Sequence, residues 1–174
     1  MRIIIRKPKL DDIDALAVLH FETWKIGYRE LISDEVLSTL SVEGFVTRWK
    51  ERIINPKAAE YVVLAEREGQ IMGFAIFGES REAINLPKEF SEIYAIYVYP
   101  KYWQQGVGKV LMQHAFTTFS ENKAPGCFLW TLKENMRARI FYERMGMKLT
   151  KQERYITIHD TELLCCSFIK SFIL

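Results

Sequence analysis

Apolar residues in the N-terminal part of the chain recur at two spacings, first that of a short strand and then that of an amphipathic helix. Residues 2–6 are rich in isoleucine and predict a β-strand, which Pro8 ends. Asp11 or Asp12 then offers an N-cap for the helix that follows. The apolar stripe of that helix consists of Ile13, Leu16, Ala17, His20, Trp24 and Tyr28.

A second helical pattern follows over residues 34–52. Ser33 can cap its first turn, and Gly44 is a residue at which the helix can break. The first third of the chain is therefore predicted to be one strand followed by two helices.

The middle of the chain changes to the alternating pattern of strands. Residues 61–65 and 71–77 flank a turn-like segment at residues 68–70, which predicts an antiparallel hairpin. In residues 92–99 both alternating sets are apolar apart from Glu92. A strand covered on both faces has this composition, so we predict that it is central in its sheet.

Helices and strands alternate through the remainder of the chain. The spacing predicts a helix over residues 107–119, a strand over 127–132 and a second helix over 135–145. From residue 147 onward the pattern is that of a hairpin that turns at His159-Asp160. The whole order predicts a mixed α/β protein in which helices pack on a sheet.

Composition narrows the class of protein without naming a function. The 174 residues are 49% hydrophobic and 26% charged, with a formal net charge of +2. Lysine and arginine are scattered among acidic residues, which argues against nucleic acid as a partner. No linker divides the chain, so we expect a single domain over residues 1–174.

The cysteines and the hydropathy indicate where the protein works. Three cysteines without C-x-x-C spacing favour neither disulfides nor a metal site, as expected in the reducing cytoplasm. No apolar run is long enough to cross a bilayer, so we expect no membrane partner.

Two glycines at the junction between residues 92–99 and the next helix are the first feature with chemical meaning. The segment 104–108 reads QQGVG, and a helix N-terminus that begins with glycines can bind an anion through backbone N–H groups. A dinucleotide fingerprint fails because Leu111 stands in place of its third glycine. A Walker loop fails because Trp103 and Val110 replace its first glycine and its hydroxyl residue. The glycines therefore form either a tight turn or a different anion site.

The wider sequence around these glycines resembles the GNAT superfamily of acyl-CoA-dependent N-acyltransferases. The family pattern Q/R-x-x-G-x-G/A, after a central strand, is matched at Gly106 and Gly108. Its later pattern N-x-x-A-x-x-F-Y-x-x-x-G-F is matched within residues 135–147. Trp103 in place of Gln or Arg and Met147 in place of Phe are the departures. The matched residues of the later pattern are Asn135, Ala138, Phe141, Tyr142 and Gly146.

This resemblance implies both a fold and a co-substrate. The fold is a twisted, mostly antiparallel sheet of about seven strands with one splayed parallel pair and helices on both faces. The co-substrate is acetyl-CoA, with its pyrophosphate on the glycine loop and its pantetheine arm along the central strand; no metal is implied. The implied binding residues are Ile96, Tyr97, Val98, Trp103, Gln104, Gln105, Gly106, Val107, Gly108, Lys109, Asn135 and Tyr142.

Acetyl transfer to an amine requires proton transfers that two residues can supply. An alkylamine with a pKa of about 10.4 is protonated at neutral pH and cannot attack until a base removes a proton. Glu92 lies fourteen residues before Gly106, the register in which family members with a glutamate base place it, and it acts directly or through water. Tyr142 matches the family tyrosine that protonates the departing thiolate. A solvated strand-end glutamate and a core tyrosine are the alternative interpretations.

The resemblance also implies the reaction, although it leaves the acceptor open. We expect direct transfer of an acetyl group to a primary amine of a small molecule or a peptide in a ternary complex, by a protein that can form a homodimer. The alternatives are a CoA-binding sensor without catalysis and an α/β domain that binds no CoA. The two N-terminal helices cover the acceptor side in relatives, and the candidate residues there are Glu22, Trp24, Tyr28 and Arg29.

Overall fold

The computed structural model of the protein describes residues 2–81, 89–158 and 161–172. Its strands form one seven-stranded sheet in the order β1-β2-β3-β4-β5-β7-β6, mostly antiparallel with β4 and β5 parallel. The predicted mixed α/β class is confirmed. The turn predicted at His159-Asp160 lies outside the described residues. The strands are β1 (Ile4–Arg6), β2 (Glu60–Arg67), β3 (Gln70–Gly78), β4 (Ser91–Val98), β5 (Gly126–Leu132), β6 (Lys148–Ile158) and β7 (Thr161–Ser171).

Five α-helices accompany the sheet in the described part of the chain, and two single turns of 3-10 helix precede α1 and α4. The single turns are Leu10–Asp12 and Pro100–Tyr102. Within the described ranges, no helix is both long enough and apolar enough to cross a membrane. The α-helices are α1 (Ile13–Gly27), α2 (Asp34–Ser38), α3 (Val42–Ile54), α4 (Val107–Glu121) and α5 (Met136–Arg144).

The chain divides into two compact units, of which the first comprises Met1–Ile76 and Ala95–His114. Here β1 pairs antiparallel with β2, and the turn between β2 and β3 consists of Glu68 and Gly69. Both turn residues have positive φ, as a tight two-residue hairpin turn requires. This unit holds the glycine loop and the second half of β4.

The second unit comprises Phe77–Tyr94 and Ala115–Leu174. It contains the parallel pairing of β4 with β5, in which Ser91, Glu92 and Ile93 face Cys127, Phe128 and Leu129. Beyond it β5 pairs antiparallel with β7, and β7 with β6. This unit holds Glu92 and the whole of the second sequence motif.

The helical region before β2 differs from its prediction in two places. The single helix predicted over residues 34–52 is wrong, because α2 ends at Ser38 and Ser41 caps a new helix by accepting a hydrogen bond from the Gly44 N–H at 3.1 Å. Gly44 therefore lies inside α3 and does not break it. Asp12 precedes α1 but makes no side-chain cap.

The Asp12 carboxylate instead forms an ion pair with Arg6. Arg6 donates to both carboxylate oxygens at 2.6 and 2.8 Å, and the Lys9 N–H donates at 2.7 Å. The guanidinium of Arg6, more than any other neighbour, holds the pKa of Asp12 below its usual range. An ion pair that secures the end of β1 has replaced the predicted N-cap.

Candidate active site

The glycine loop leaves β4 through an irregular turn and enters α4. Gln104 and Gly106 have φ of 61° and 81°, which lie in the left-handed region. A Cβ atom at Gly106 would meet nothing within 4 Å, so the backbone conformation alone favours glycine there. The space above this glycine is open, and both residues are exposed.

This loop has features that favour the binding of an anion. Val107 begins a helix of 15 residues, whose first N–H groups have no partner within the helix. The positive end of the helix dipole lies at this end of α4, next to the loop. The side chains of Gln105 and Lys109 are exposed at its rim. The loop can therefore receive a phosphate or pyrophosphate close to its backbone.

The backbone of β4 presents a hydrogen-bonding edge to the same region. The Tyr99 N–H bonds the Met72 carbonyl of β3 at 2.9 Å. Backbone groups of successive strand residues point to opposite edges, so those of Val98 and Ile96 point away from β3. The register of β4 with β5 ends at Ile93, although β4 continues to Val98. An extended ligand can pair with Ile96 and Val98 as an added strand would.

Trp103, one of the two residues that depart from the family patterns, lies at one end of this edge. Its indole Nε1 donates a hydrogen bond to the Val98 carbonyl at 2.8 Å. The Trp103 N–H bonds the Pro100 carbonyl at 3.1 Å, so the residue ties the loop to the strand end. The side chain therefore fixes the loop beside β4, and it occupies one acceptor that a ligand would otherwise use.

The Tyr97 side chain extends from β4 toward α1. Its hydroxyl lies 3.4 Å from that of Tyr28, and the Tyr28 and Trp24 rings are 4.9 Å apart. Two of the four predicted acceptor residues, Trp24 and Tyr28, therefore contact each other. The other two, Glu22 and Arg29, are half-buried and exposed, respectively.

The same aromatic group continues inward around His20. The imidazole lies 4.3 Å from the Phe45 ring, 5.0 Å from Phe74 and 4.9 Å from Tyr97, measured between centroids. Burial, helped by the charges of Arg48 and Arg52, lowers the pKa of His20 to about 3. His20 therefore stays neutral at physiological pH. Sequence spacing placed it on the helix stripe but did not reveal these ring contacts.

Glu92 is a buried carboxylate with a close cationic partner. Its side chain is 2% exposed, whereas that of Arg81 is 51% exposed. Arg81 donates three hydrogen bonds to it, from the backbone N–H at 3.1 Å, Nε at 3.2 Å and Nη2 at 2.7 Å. Glu92 is therefore not a solvated strand-end residue, which was the alternative interpretation of the sequence. Arg81 lay in a polar stretch without a motif, so sequence reasoning missed it.

The second motif forms the start and the interior of α5. The Asn135 side-chain oxygen accepts a hydrogen bond from the Ala138 N–H at 3.1 Å and so caps the helix. Tyr142 is 8% exposed, and its ring lies 5.6 Å from that of Phe168. The motif thus has a structural function in this unit, in addition to any contact with a ligand.

The described residues indicate neither a metal site nor a cysteine nucleophile. No three His, Cys, Asp or Glu residues there are grouped to hold a metal ion. Cys127 is fully buried, and burial raises the pKa of its thiol to about 12. A thiol of that pKa is a poor nucleophile at neutral pH. A covalent acyl-cysteine intermediate is therefore not indicated.

Comparison with known proteins identifies the family of the chain. The family model for the acetyltransferase (GNAT) family matches residues 25–147, well over half of the chain. The uncharacterized N-acetyltransferase YuaI of Bacillus subtilis is 26% identical over 153 residues, covering 88% of this chain and 84% of the relative. The spermidine N(1)-acetyltransferase of Thermoplasma acidophilum is 24% identical over 153 residues, covering 86% and 90%.

Solved structures show the same fold. The crystal structure of the PaiA N-acetyltransferase from Thermoplasma acidophilum in complex with coenzyme A aligns with a TM-score of 0.73. The two chains are 20% identical, and the alignment covers 99% of this chain and 100% of that one. The resemblance inferred from the two sequence motifs is confirmed. The chain belongs to the acetyltransferase (GNAT) family and is an acetyl-CoA-dependent N-acetyltransferase.

Proposed function

We propose that the protein transfers an acetyl group directly from acetyl-CoA to a primary amine, with both substrates bound at once. The observation that carries this proposal is the open backbone edge of β4, which ends at the anion-binding loop before α4. Acetyl-CoA has a matching shape, since its extended pantetheine arm is joined to a pyrophosphate. Ile96 and the Val98 N–H would hold the arm, and the loop from Gln104 to Lys109 would hold the pyrophosphate.

Glu92 is the proposed acceptor of the amine proton. It is the second residue of β4, the strand that would also hold the pantetheine arm. Its burial excludes bulk water from the carboxylate, so an ammonium group that reaches it has a defined proton acceptor. Loss of the proton to this carboxylate, directly or through one water, frees the lone pair that attacks the thioester carbonyl carbon.

Tyr142 is the proposed donor of the proton that the departing sulfur needs. A buried hydroxyl on α5 can donate to the thiolate that forms when the carbon–sulfur bond breaks. The Val98 N–H, on the open edge of β4, can stabilise the negative charge that develops on the carbonyl oxygen. The acceptor side predicted from the sequence, at Glu22, Trp24, Tyr28 and Arg29, stays a prediction.

The acceptor class favoured by the Glu92 carboxylate is a cationic alkylamine. One relative is named a spermidine N(1)-acetyltransferase, and a polyamine has a primary ammonium group at each end. The buried Glu92 carboxylate attracts such a cation. A peptide N-terminus is the second acceptor to test, because it also presents a primary amine.

The hydrogen bond from Trp103 to Val98 leads to a prediction about the affinity for acetyl-CoA. Trp103→Phe keeps the ring but removes the hydrogen bond to the Val98 carbonyl, so the loop loses one tie to the strand. We expect the Kd for acetyl-CoA, measured by isothermal titration calorimetry, to rise by about fivefold, the effect of one neutral hydrogen bond. An unchanged Kd would show that Trp103 does not position the loop.

The matched control is Trp130→Phe. The Trp130 Nε1 is buried and makes no hydrogen bond to any residue within the described ranges. This substitution therefore removes the same indole N–H without breaking a hydrogen bond. We expect the Kd for acetyl-CoA to stay at the wild-type value.

Two-substrate kinetics tests the proposed direct transfer. Initial rates are measured against acetyl-CoA at several fixed concentrations of an amine that the enzyme acetylates. Intersecting lines in the reciprocal plot are expected for a ternary complex. Parallel lines would indicate a covalent acetyl-enzyme and contradict the proposal.

A further inference from the structure

The Glu92 carboxylate and the Tyr94 ring enclose a cation on two sides. The Arg81 guanidinium carbon lies 3.9 Å from the centroid of the Tyr94 ring, while its Nη2 donates to Glu92 at 2.7 Å. The Tyr94 hydroxyl donates to the Glu79 carbonyl at 2.5 Å, which fixes the ring beneath the guanidinium. A carboxylate on one side and an aromatic face on another is the arrangement that binds ammonium and guanidinium groups.

The two partners of this ion pair, Glu92 and Arg81, differ in how far they are exposed to water. The Glu92 side chain is 2% exposed and cannot withdraw from its position in β4, whereas half of the Arg81 side chain is in water. Removal of Arg81 without replacement would leave a buried carboxylate unpaired, which is costly. Replacement by another cation keeps the charge balanced, because the guanidinium returns to water as the new cation arrives.

The geometry points to a cation subsite made by Glu92 and Tyr94, in which Arg81 is the resident counter-ion that the ammonium group of the acceptor displaces. This inference rests on the proposed function, and it adds the substrate class and the means of entry. A protonated amine that takes the place of Arg81 lies against the carboxylate that must accept its proton. An uncharged amine gains nothing from the exchange and competes poorly with Arg81.

The exchange also explains how Glu92 can act as a base despite its ion pair. Three donors from Arg81 occupy both carboxylate oxygens. Arrival of the acceptor removes the side-chain donors, so the carboxylate oxygens become available to the ammonium group only when a substrate is present.

A nuclear magnetic resonance experiment tests the displacement without requiring turnover. The Arg81 Nε–Hε signal of the protein saturated with CoA is identified by its loss in Arg81→Lys. Spermidine, added as the probe, is expected to abolish the hydrogen-bonded signal or shift it to the position of a solvated arginine. Sodium chloride at equal ionic strength, and an uncharged arylamine, should leave it in place. A signal that persists at saturating spermidine, or that responds equally to salt, would overturn the inference.

Kinetics of Arg81→Gln gives a second test, with any alkylamine and arylamine that the wild-type enzyme acetylates. Loss of the competing guanidinium is expected to lower KM for the charged alkylamine at least about threefold relative to KM for the neutral arylamine. A purely structural Arg81 would change both KM values together or raise that of the alkylamine, and either result would contradict the displacement.

Tyr94 offers a matched pair of variants for the aromatic side of the subsite. Tyr94→Leu removes the ring and is expected to raise KM for the alkylamine about threefold to tenfold. Tyr94→Phe keeps the aromatic face and should raise it much less. Equal effects of the two variants would exclude a role for the ring in cation binding. If no amine is acetylated at all, the proposed function fails, while the resonance experiment still decides whether a cation displaces Arg81.

Discussion

Glu92→Gln is expected to lower kcat by about two orders of magnitude at neutral pH, the usual contribution of a general base. Glutamine keeps the size of the side chain but cannot accept the proton of an ammonium group. The loss should be largest at low pH and should shrink as pH rises. The reason is that the fraction of free amine, which needs no base, grows about tenfold per pH unit below its pKa of about 10.4.

A matched substitution separates this effect from the loss of a buried ion pair. Glu60 begins β2, its side chain is 7% exposed, and it accepts a hydrogen bond from Arg52 at 2.9 Å. Glu60→Gln should therefore disturb the fold about as much as Glu92→Gln while leaving kcat close to the wild-type value. Equal losses in the two variants, or a Glu92→Gln profile parallel to wild type at every pH, would remove Glu92 from the mechanism.

Tyr142→Phe is the substitution with the second largest expected effect. Removal of the hydroxyl leaves the thiolate without its proton donor, so the rate of the chemical step should fall about tenfold to a hundredfold. The phenyl ring can keep its packing against Phe168, 5.6 Å away, and KM for acetyl-CoA should change little. Single-turnover measurement by rapid quench isolates this step from product release.

Tyr155→Phe is the control for the loss of a tyrosine hydroxyl. Tyr155 lies on β6 and is 66% exposed, so the substitution should alter neither the fold nor the chemical step. A Tyr142→Phe enzyme that retains the full single-turnover rate would show that Tyr142 serves only the packing of α5.

The order of strands and helices was predictable because it depends on local patterns. Alternation of apolar residues identified β2 and β3, and the two-sided apolar run correctly indicated a central β4. The break between α2 and α3 was not found, because Ser41 and Gly44 can each interrupt a helical pattern. Only the observed hydrogen bond between them shows that Ser41 is a cap and Gly44 a helical residue.

The site was predictable only where a motif marks it. The glycine loop and the second motif identified the family, which the comparisons confirm. The contacts on which the proposed chemistry depends join residues with no local signal. Arg81 lies eleven positions before Glu92 and carries no motif, and the indole of Trp103 bonds a carbonyl that sequence cannot assign. Residue roles in catalysis therefore remain predictions for the variants above.

An acceptor panel with acetyl-CoA tests the central claim most directly. Purified protein is given acetyl-CoA with polyamines, amino acids, aminoglycosides or peptides with free N-termini, and free CoA thiol and acetylated product are both quantified. We predict saturable thiol release with one class of cationic primary amine, matched mole for mole by product acetylated on nitrogen. Thiol release at the same low rate with every amine and with none, and no acetylated product, would contradict the account.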